Sequence, residues 1–238
     1  MMFSYSPMET YAVIPIGFGF NDVAIFLIFA FGIISLLSYA LTANQTLVPN
    51  NWFLGLETYH VTLYSMMRTY IGSKAGAWFP FLYTLFTGLL FSNLFGLLPY
   101  STTPTTHLIV TFNLALFLMV TAIANGFRRY RYAIFGMLIP AGTPLGLIPL
   151  IIIIEVLAYI TRIGSLGIRI TVNMLTGHTL VKVIGGFIYE GFLGGTSLII
   201  LALPVGLLTV FLLLELLIAY LQAYIFTFIS CITIRDFS

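Results

Sequence analysis

The chain of 238 residues is 60% hydrophobic and only 7% charged, with a formal net charge of +2. Soluble domains carry about 25% charged residues, so this composition excludes a soluble enzyme and indicates an integral membrane protein. The small net charge, without a basic stripe, also excludes a nucleic-acid-binding protein. Apolar stretches run on for roughly 18 residues or more, which predicts membrane helices and not the alternating segments of a β-barrel.

The amino-terminal part predicts one membrane helix and one surface helix. The membrane helix covers residues 23–42 and follows Asn21 and Asp22, which can cap its first turn. Residues 51–72 mix apolar and polar side chains in an amphipathic pattern, so this helix is predicted to lie at the membrane surface. Residues 1–19 have Glu9 as their only charge, so we expect no export signal and no basic transit peptide there.

Two further membrane helices are predicted over residues 78–98 and 108–125, joined by an uncharged loop at 100–106. A Pro/Gly-rich turn segment follows at 139–144. Basic residues collect on one predicted side of the membrane: Arg68, Lys74, Arg128, Arg129 and Arg131. By the positive-inside rule that side is the bacterial cytoplasm or the mitochondrial matrix, and the amino terminus lies on the other side.

The last part of the chain holds two very long apolar segments, at 147–187 and 197–233, joined by Glu190 and a glycine-rich turn. As one helix the first would be roughly 60 Å long, about twice the thickness of the hydrocarbon core. We therefore predict a long, strongly tilted helical hairpin, with two ordinary kinked spans as the alternative. The predicted fold class is an all-α integral membrane protein, a single membrane domain over 1–238, with about five membrane helices plus one interfacial amphipathic helix.

Polar and ionisable side chains recur at helical spacing inside both long segments. Seven-residue steps slip by only about 20° around a helix, so the first segment places four of them on one stripe: Glu155, Arg162, Arg169 and Asn173. His178 falls near the opposite side of that helix, and the second segment carries Glu215 and Gln222 seven residues apart. Arg169 is the leading candidate, because an arginine within the membrane is costly and is retained for a function.

Two interpretations of these side chains stay open. In the first, Arg162 pairs with Glu155 and Arg169 pairs with Glu215, and the ion pairs only neutralise the charges. In the second, the carboxyl and imidazole groups form a relay, since both can accept and donate protons. The small residues beside the arginine fit either close helix packing or a smooth surface for a moving partner: Gly164, Ser165 and Gly167.

No motif indicates a cofactor or a metal. The sequence has no GxxxxGK[ST] phosphate loop and no Cys/His spacing of a metal site, so we expect neither a bound cofactor nor a metal. Its single cysteine, Cys231, excludes an intrachain disulfide and is interpreted as an apolar packing residue.

The residues around the arginine resemble subunit a of the rotary F-type ATP synthases. The resemblance rests on Ser165-Leu-Gly-Ile-Arg169, Asn173 and Gly177-His178. It extends over most of the chain, through Ser6-Pro-Met8, the run from Phe91 to Tyr100, the segment from Ile139 to Leu145, Glu155, and Glu215 to Gln222. His178 and the segment Pro140-Ala-Gly-Thr-Pro144 are similar to the corresponding residues in the mitochondrial branch of the family.

The resemblance implies a stator that passes protons between two half-channels and the carboxylates of a rotating ring of c subunits. Arg169 then matches the essential arginine, which keeps an arriving carboxylate ionised and blocks a direct proton leak. The resemblance also implies that His178 and Glu215 form the relay of the inlet half-channel, on the intermembrane-space side. Glu155 matches the outlet half-channel toward the matrix.

Further implied roles concern the neighbouring polar groups. Asn173 and Gln222 line the proton passage beside Arg169. Arg162 is a weaker candidate for a residue of the proton path. Asp236 is a weaker candidate for the inlet, with a surface ion pair to Arg235 as the alternative. Lys182 departs from the family pattern, in which an apolar residue is usual one turn after the histidine. We expect its ammonium group to snorkel to the interface.

The resemblance further implies a subunit without catalytic activity of its own, with ATP chemistry left to partner subunits. The implied partners are the c-ring, the peripheral stalk, other membrane subunits of ATP synthase and the lipid bilayer. The implied location is the mitochondrial inner membrane, with the amino terminus on the intermembrane-space side. Two other hypotheses are a secondary transporter, against which the lack of an internal repeat counts, and a structural subunit of another energy-converting complex.

Overall fold

The computed structural model describes residues 15–17, 20–43, 51–97, 104–131, 145–195 and 198–237. In this part of the chain, a short antiparallel pair, β1 (Pro15–Gly17) and β2 (Phe20–Asn21), comes before a series of helices. The α-helices are α1 (Asp22–Ala43), α2 (Asn51–Ile71), α3 (Ala75–Gly96), α4 (Leu108–Tyr130), α5 (Ile148–Leu193) and α6 (Leu198–Asp236). Short 3-10 turns stand at Gly72–Lys74, Pro104–Thr106 and Leu145–Leu147.

Long apolar helices confirm the predicted class of all-α integral membrane protein. Four helical stretches of the described residues are long and apolar enough to cross a membrane: Asn51–Gly96, Leu108–Tyr130, Ile148–Leu193 and Leu201–Asp236. Within α1, Ile28–Tyr39 forms a shorter apolar stretch. The first of the four includes both α2 and α3, so the placement of α2 at the membrane surface stays a prediction. The segment 139–144 and residues 1–14 lie outside the described residues.

Helix α4 ends later than predicted. It continues to Tyr130, so Arg128 and Arg129 belong to its last turn and not to a loop after residue 125. Cations at the carboxyl end of a helix interact favourably with the helix dipole and with the unpaired carbonyl groups. The prediction ended the helix where the apolar residues end, so it left out this stabilised last turn.

Each long segment is a single helix. Helix α5 has 46 residues and α6 has 39, and the two pack against each other as a hairpin. Pro149 lies in the first turn of α5, where its missing N–H costs nothing. The helix ends at Gly194, whose N–H donates to the Glu190 carbonyl at 2.9 Å, and Gly195 follows with a φ of +68°. A glycine accepts that left-handed conformation without strain, so the chain turns back here.

The buried core lies where α2, α3, α4 and α6 meet. Helix α2 contributes a stripe at helical spacing, Leu63, Met67 and Ile71, which faces α3 and α6. Gly72 has a φ of +78° and turns the chain from α2 into α3. Cys231 is fully buried in this core, as expected for a packing residue.

Candidate functional site

The hairpin of α5 and α6 brings His178 and Glu215 together. Nδ1 of His178 lies 2.9 Å from Oε1 of Glu215, and the two side chains are only 12% and 5% exposed. The two helices run antiparallel, so a residue in the second half of α5 faces one in the first half of α6. A carboxylate this deeply buried requires a partner, and the imidazole supplies it. Because Glu215 contacts His178, the considered ion pair between Arg169 and Glu215 is wrong.

Gly177 makes room for this contact. A Cβ atom at residue 177 would lie 3.0 Å from Oε1 of Glu215 and 3.3 Å from Cδ of the same side chain. Any larger residue would therefore push the carboxylate away from the imidazole. The sequence shows Gly177 next to His178. Only the register of the two helices shows that the Glu215 carboxylate occupies the space that a side chain at residue 177 would need.

A second polar cluster lies at the other end of the hairpin. Arg162 Nη1 donates to Oδ2 of Asp236 at 3.3 Å, and the Arg162 guanidinium lies 5.1 Å from the ring centre of Tyr159. Glu155 lies one turn before Tyr159 on α5, close to the Tyr159 hydroxyl. We call the four side chains the Glu155 cluster: Glu155, Tyr159, Arg162 and Asp236.

This geometry corrects two expectations. Arg162 pairs with Asp236 and not with Glu155. Asp236 lies beside Arg162, at the opposite end of the hairpin from His178, so it does not assist a relay at His178. Tyr159 was missed from the sequence, although it stands four residues after Glu155 and three before Arg162, which is the spacing of neighbours on a helix.

Arg169 lies between the two clusters, on an open face of α5. Its Nη2 donates to Oγ of Ser165 at 3.2 Å, and the residue is exposed. In the part of the chain that the structure describes, it forms no ion pair. We call its surroundings the open face: Ser165, Ile168, Arg169, Val172 and Thr176, all exposed and spaced at helical intervals. A cation on such an apolar face is costly inside a membrane unless a partner approaches it.

The two amides differ in burial. Gln222 on α6 is buried, at 7% exposure, whereas Asn173 on α5 is half-buried. Lys182, one turn beyond His178, is exposed. Their roles beside Arg169 and His178 remain predictions.

The small residues beside Arg169 serve two purposes. A Cβ atom at Gly167 would lie 3.1 Å from Cα of Phe112, so the absence of a side chain lets α4 approach α5 closely. Thr111 and Thr171 join the same two helices through a 2.6 Å hydrogen bond between their hydroxyl groups. A Cβ atom at Gly164, by contrast, would have no neighbour within 4 Å. Helix packing therefore explains Gly167, and Gly164 stays available to a partner.

The fold and the site define a class of protein. It is a multi-pass membrane protein with buried ionisable groups in a helical hairpin and an arginine on the open face that forms no ion pair within the described residues. Residues 23–235 match the family model described as ATP synthase A chain. The chain is 38% identical to ATP synthase subunit a of Chondrus crispus, over 97% of this chain and 95% of that protein. It is 38% identical to the subunit of Podospora anserina, over 93% and 82%, and 34% identical to that of Pelagibacter ubique, over 97% and 96%.

The chain therefore belongs to the ATP synthase A chain family, and the algal and fungal relatives connect it with the mitochondrial type. Its role is that of a proton-translocating subunit of the membrane sector of ATP synthase, and it works together with other subunits of that complex. The secondary-transporter hypothesis is not favoured.

Proposed function

We propose that Arg169 separates two proton half-channels, one through His178 and Glu215 and the other through the Glu155 cluster. The observation that carries this proposal is the position of an exposed, uncompensated arginine between two polar clusters of one hairpin. At 1.5 Å per residue, Glu155 lies roughly 21 Å from Arg169 along the α5 axis, and His178 lies roughly 13 Å away on the other side. Both offsets fit inside a membrane of about 30 Å when the helix is inclined.

The inlet half-channel uses the His178 and Glu215 pair. Imidazole and carboxylate can each accept and donate a proton, and the two groups lie 2.9 Å apart, so both can belong to one proton relay. Oε1 of Glu215 and the other ring nitrogen of His178, Nε2, are buried and have no hydrogen-bond partner within the described residues. A buried, unsatisfied polar atom indicates a place for a water molecule, which would continue the path.

The outlet half-channel uses Glu155 as its proton-accepting group. The Tyr159 ring stands between Glu155 and Arg162 on α5, and Asp236 balances the charge of Arg162. Asn173 and Gln222 line the passage beside Arg169 in this proposal.

Arg169 acts by charge and not by proton transfer. Its guanidinium stays protonated under all ordinary conditions, so it cannot relay a proton between the half-channels and repels one that approaches. A carboxylate on a partner that reaches the open face would be held in its ionised form by this charge. The proposed partner is the ring of c subunits, whose carboxylates collect a proton from one half-channel and release it to the other.

The same proposal includes the wider setting. The subunit carries no catalytic activity, and ATP chemistry lies in partner subunits. The peripheral stalk and other membrane subunits hold it against the ring. The membrane is the mitochondrial inner membrane, with the amino terminus on the intermembrane-space side, in keeping with the basic residues at the opposite side.

Cross-linking in membranes that carry the assembled complex tests the proposal. Ile168→Cys and Val172→Cys place thiols on the open face, at residues that are 50% and 46% exposed. Cys231→Ala first removes the one natural thiol. We expect both cysteines to cross-link to c subunits and the cross-links to stop ATP-driven proton pumping.

The matched control is Ile109→Cys on α4, which is 76% exposed but lies away from the open face. It is expected to leave pumping intact and to form no cross-link with c subunits. Absence of cross-links at residues 168 and 172, or coupled ATP synthesis in an Arg169→Gln variant, would contradict the proposal.

A further inference from the structure

A separate cavity lies between α1, α3 and α4, away from the α5 and α6 hairpin clusters. Its volume is about 590 Å³, which is within the range of small-ligand sites in proteins. The side chains that line it are mostly apolar and come from all three helices, including Phe31, Ile34, Phe81, Leu85 and Phe117. Among the described residues, no Lys or Arg lines it.

One end of this cavity is polar. Ser92, near the end of α3, and Thr105, in the 3-10 turn before α4, both line it and are only 4% and 3% exposed. Neither hydroxyl oxygen has a hydrogen-bond partner within the described residues. A buried hydroxyl without a partner is costly, and more so in hydrocarbon than in water. Two such groups at one end of an apolar cavity therefore indicate that a bound molecule supplies a hydrogen-bond acceptor there.

The cavity has about the length of one lipid tail. From Phe81 to Ser92 it follows roughly 16 Å of the α3 axis. One leaflet of a bilayer contributes about 15 Å of hydrocarbon, half of the full core. Ser92 and Thr105 stand where α3 ends and α4 is about to begin, which is the membrane-surface end of these helices. Ester groups of phospholipids lie at this depth, with their acyl chains pointing inward.

We propose that the cavity binds one acyl chain of a phospholipid, whose ester carbonyl accepts hydrogen bonds from Ser92 and Thr105. An ester oxygen is an acceptor and the two hydroxyl groups can donate, so both sides are satisfied. A transmembrane helix of another subunit meets this need less well, because its backbone carbonyl groups are already bonded within the helix. The lipid thus fills the space that α1, α3 and α4 leave between them.

Photolabelling of the intact ATP synthase complex tests this site. The probe is a phosphatidylcholine with a diazirine at the end of one acyl chain, incorporated into vesicles together with the complex. We expect mass spectrometry to find adducts on α3 and α4 residues at the inner end of the cavity, such as Phe81 and Phe117. Absence of adducts there, with the cavity cross-linked to a helix of another subunit, would overturn the proposal.

A pair of glycine variants separates this site from general lipid contact. A Cβ atom at Gly88 would lie 3.5 Å from Cδ1 of Ile34, an ordinary contact, so Gly88→Leu projects its side chain into the cavity. Gly32→Leu adds the same group on the exposed side of α1, where a Cβ atom would have no neighbour within 4 Å. We expect Gly88→Leu to reduce labelling at least ten-fold and Gly32→Leu to leave it unchanged. Equal labelling in wild type and Gly88→Leu would refute the site.

If Gly88→Leu prevents assembly of the complex, a smaller substitution tests the same site. Ser92→Ala removes one hydroxyl donor with almost no change in side-chain shape. Labelling at limiting probe should fall about five-fold, the factor that one hydrogen bond of ordinary net strength contributes. Ser35→Ala is the control, because that hydroxyl already donates to the Gly32 carbonyl at 2.8 Å on the exposed side of α1. Unchanged labelling in Ser92→Ala would refute the role of the hydroxyl.

Discussion

Gly177→Ala perturbs the inlet pair without removing any titratable group. The added Cβ atom would lie 3.0 Å from Oε1 of Glu215, whereas ordinary contacts of a Cβ atom begin at 3.4 Å. The carboxylate must therefore move by roughly 0.4 Å or more, which lengthens its 2.9 Å contact with Nδ1 of His178. A close polar contact to a charged group contributes about 1.5 to 3 kcal/mol, and we expect the longer distance to raise the barrier to proton transfer by about 1 kcal/mol. That corresponds to about a five-fold fall in proton flux.

The assay is passive proton conduction through the membrane sector, followed by fluorescence quenching in vesicles stripped of the catalytic sector. Gly186→Ala is the matched control, because it makes the same change on the same helix where a Cβ atom would have no neighbour within 4 Å. Both variants gain the same helix propensity, so this effect cancels in the comparison. Equal flux in Gly177→Ala and Gly186→Ala would refute the reasoning that the contact carries protons.

Three further predictions concern Arg169 and the α4–α5 contact. Arg169→Lys should abolish coupled ATP synthesis, measured in energised vesicles, because a desolvated lysine can release its proton whereas arginine cannot. Normal synthesis in this variant would refute the requirement for a permanent charge at residue 169. Gly167→Val should lower stability by about 1 to 3 kcal/mol, because its Cβ atom would lie 3.1 Å from the Phe112 backbone. Denaturant-dependent loss of the assembled complex measures this, and an unchanged midpoint would contradict it. Thr171→Val should cost about 0.5 to 1.5 kcal/mol in the same assay, because it removes the 2.6 Å hydrogen bond while the Thr111 hydroxyl keeps the Leu108 carbonyl at 3.2 Å. Thr176→Val, on the exposed side, should cost less.

Hydrophobicity and helical spacing were enough to predict the membrane class, the order of the helices and the hairpin. They also placed His178 and Glu215 on helices that could face each other. These features depend on the composition and period of a single segment, which the sequence contains directly.

The partners across the hairpin were harder to predict. Spacing within α5 suggested that Arg162 pairs with Glu155, but the register of α6 brings Asp236 to it instead. That register depends on how the side chains of two helices interdigitate, which no single-helix pattern contains. Gly177 was missed as a site residue for the same reason, because its role is to leave space for the carboxylate of another helix.

The antiparallel hairpin also makes its two contacts depend on different lengths of α6. His178 and Glu215 lie closer to the turn at Gly194 and Gly195, whereas Arg162 and Asp236 are separated by 74 residues. The histidine–glutamate contact therefore needs only the half of α6 next to the turn, and the arginine–aspartate contact needs the far end of that helix. Loss of the last turn of α6 would leave the inlet assembled and the Glu155 cluster open.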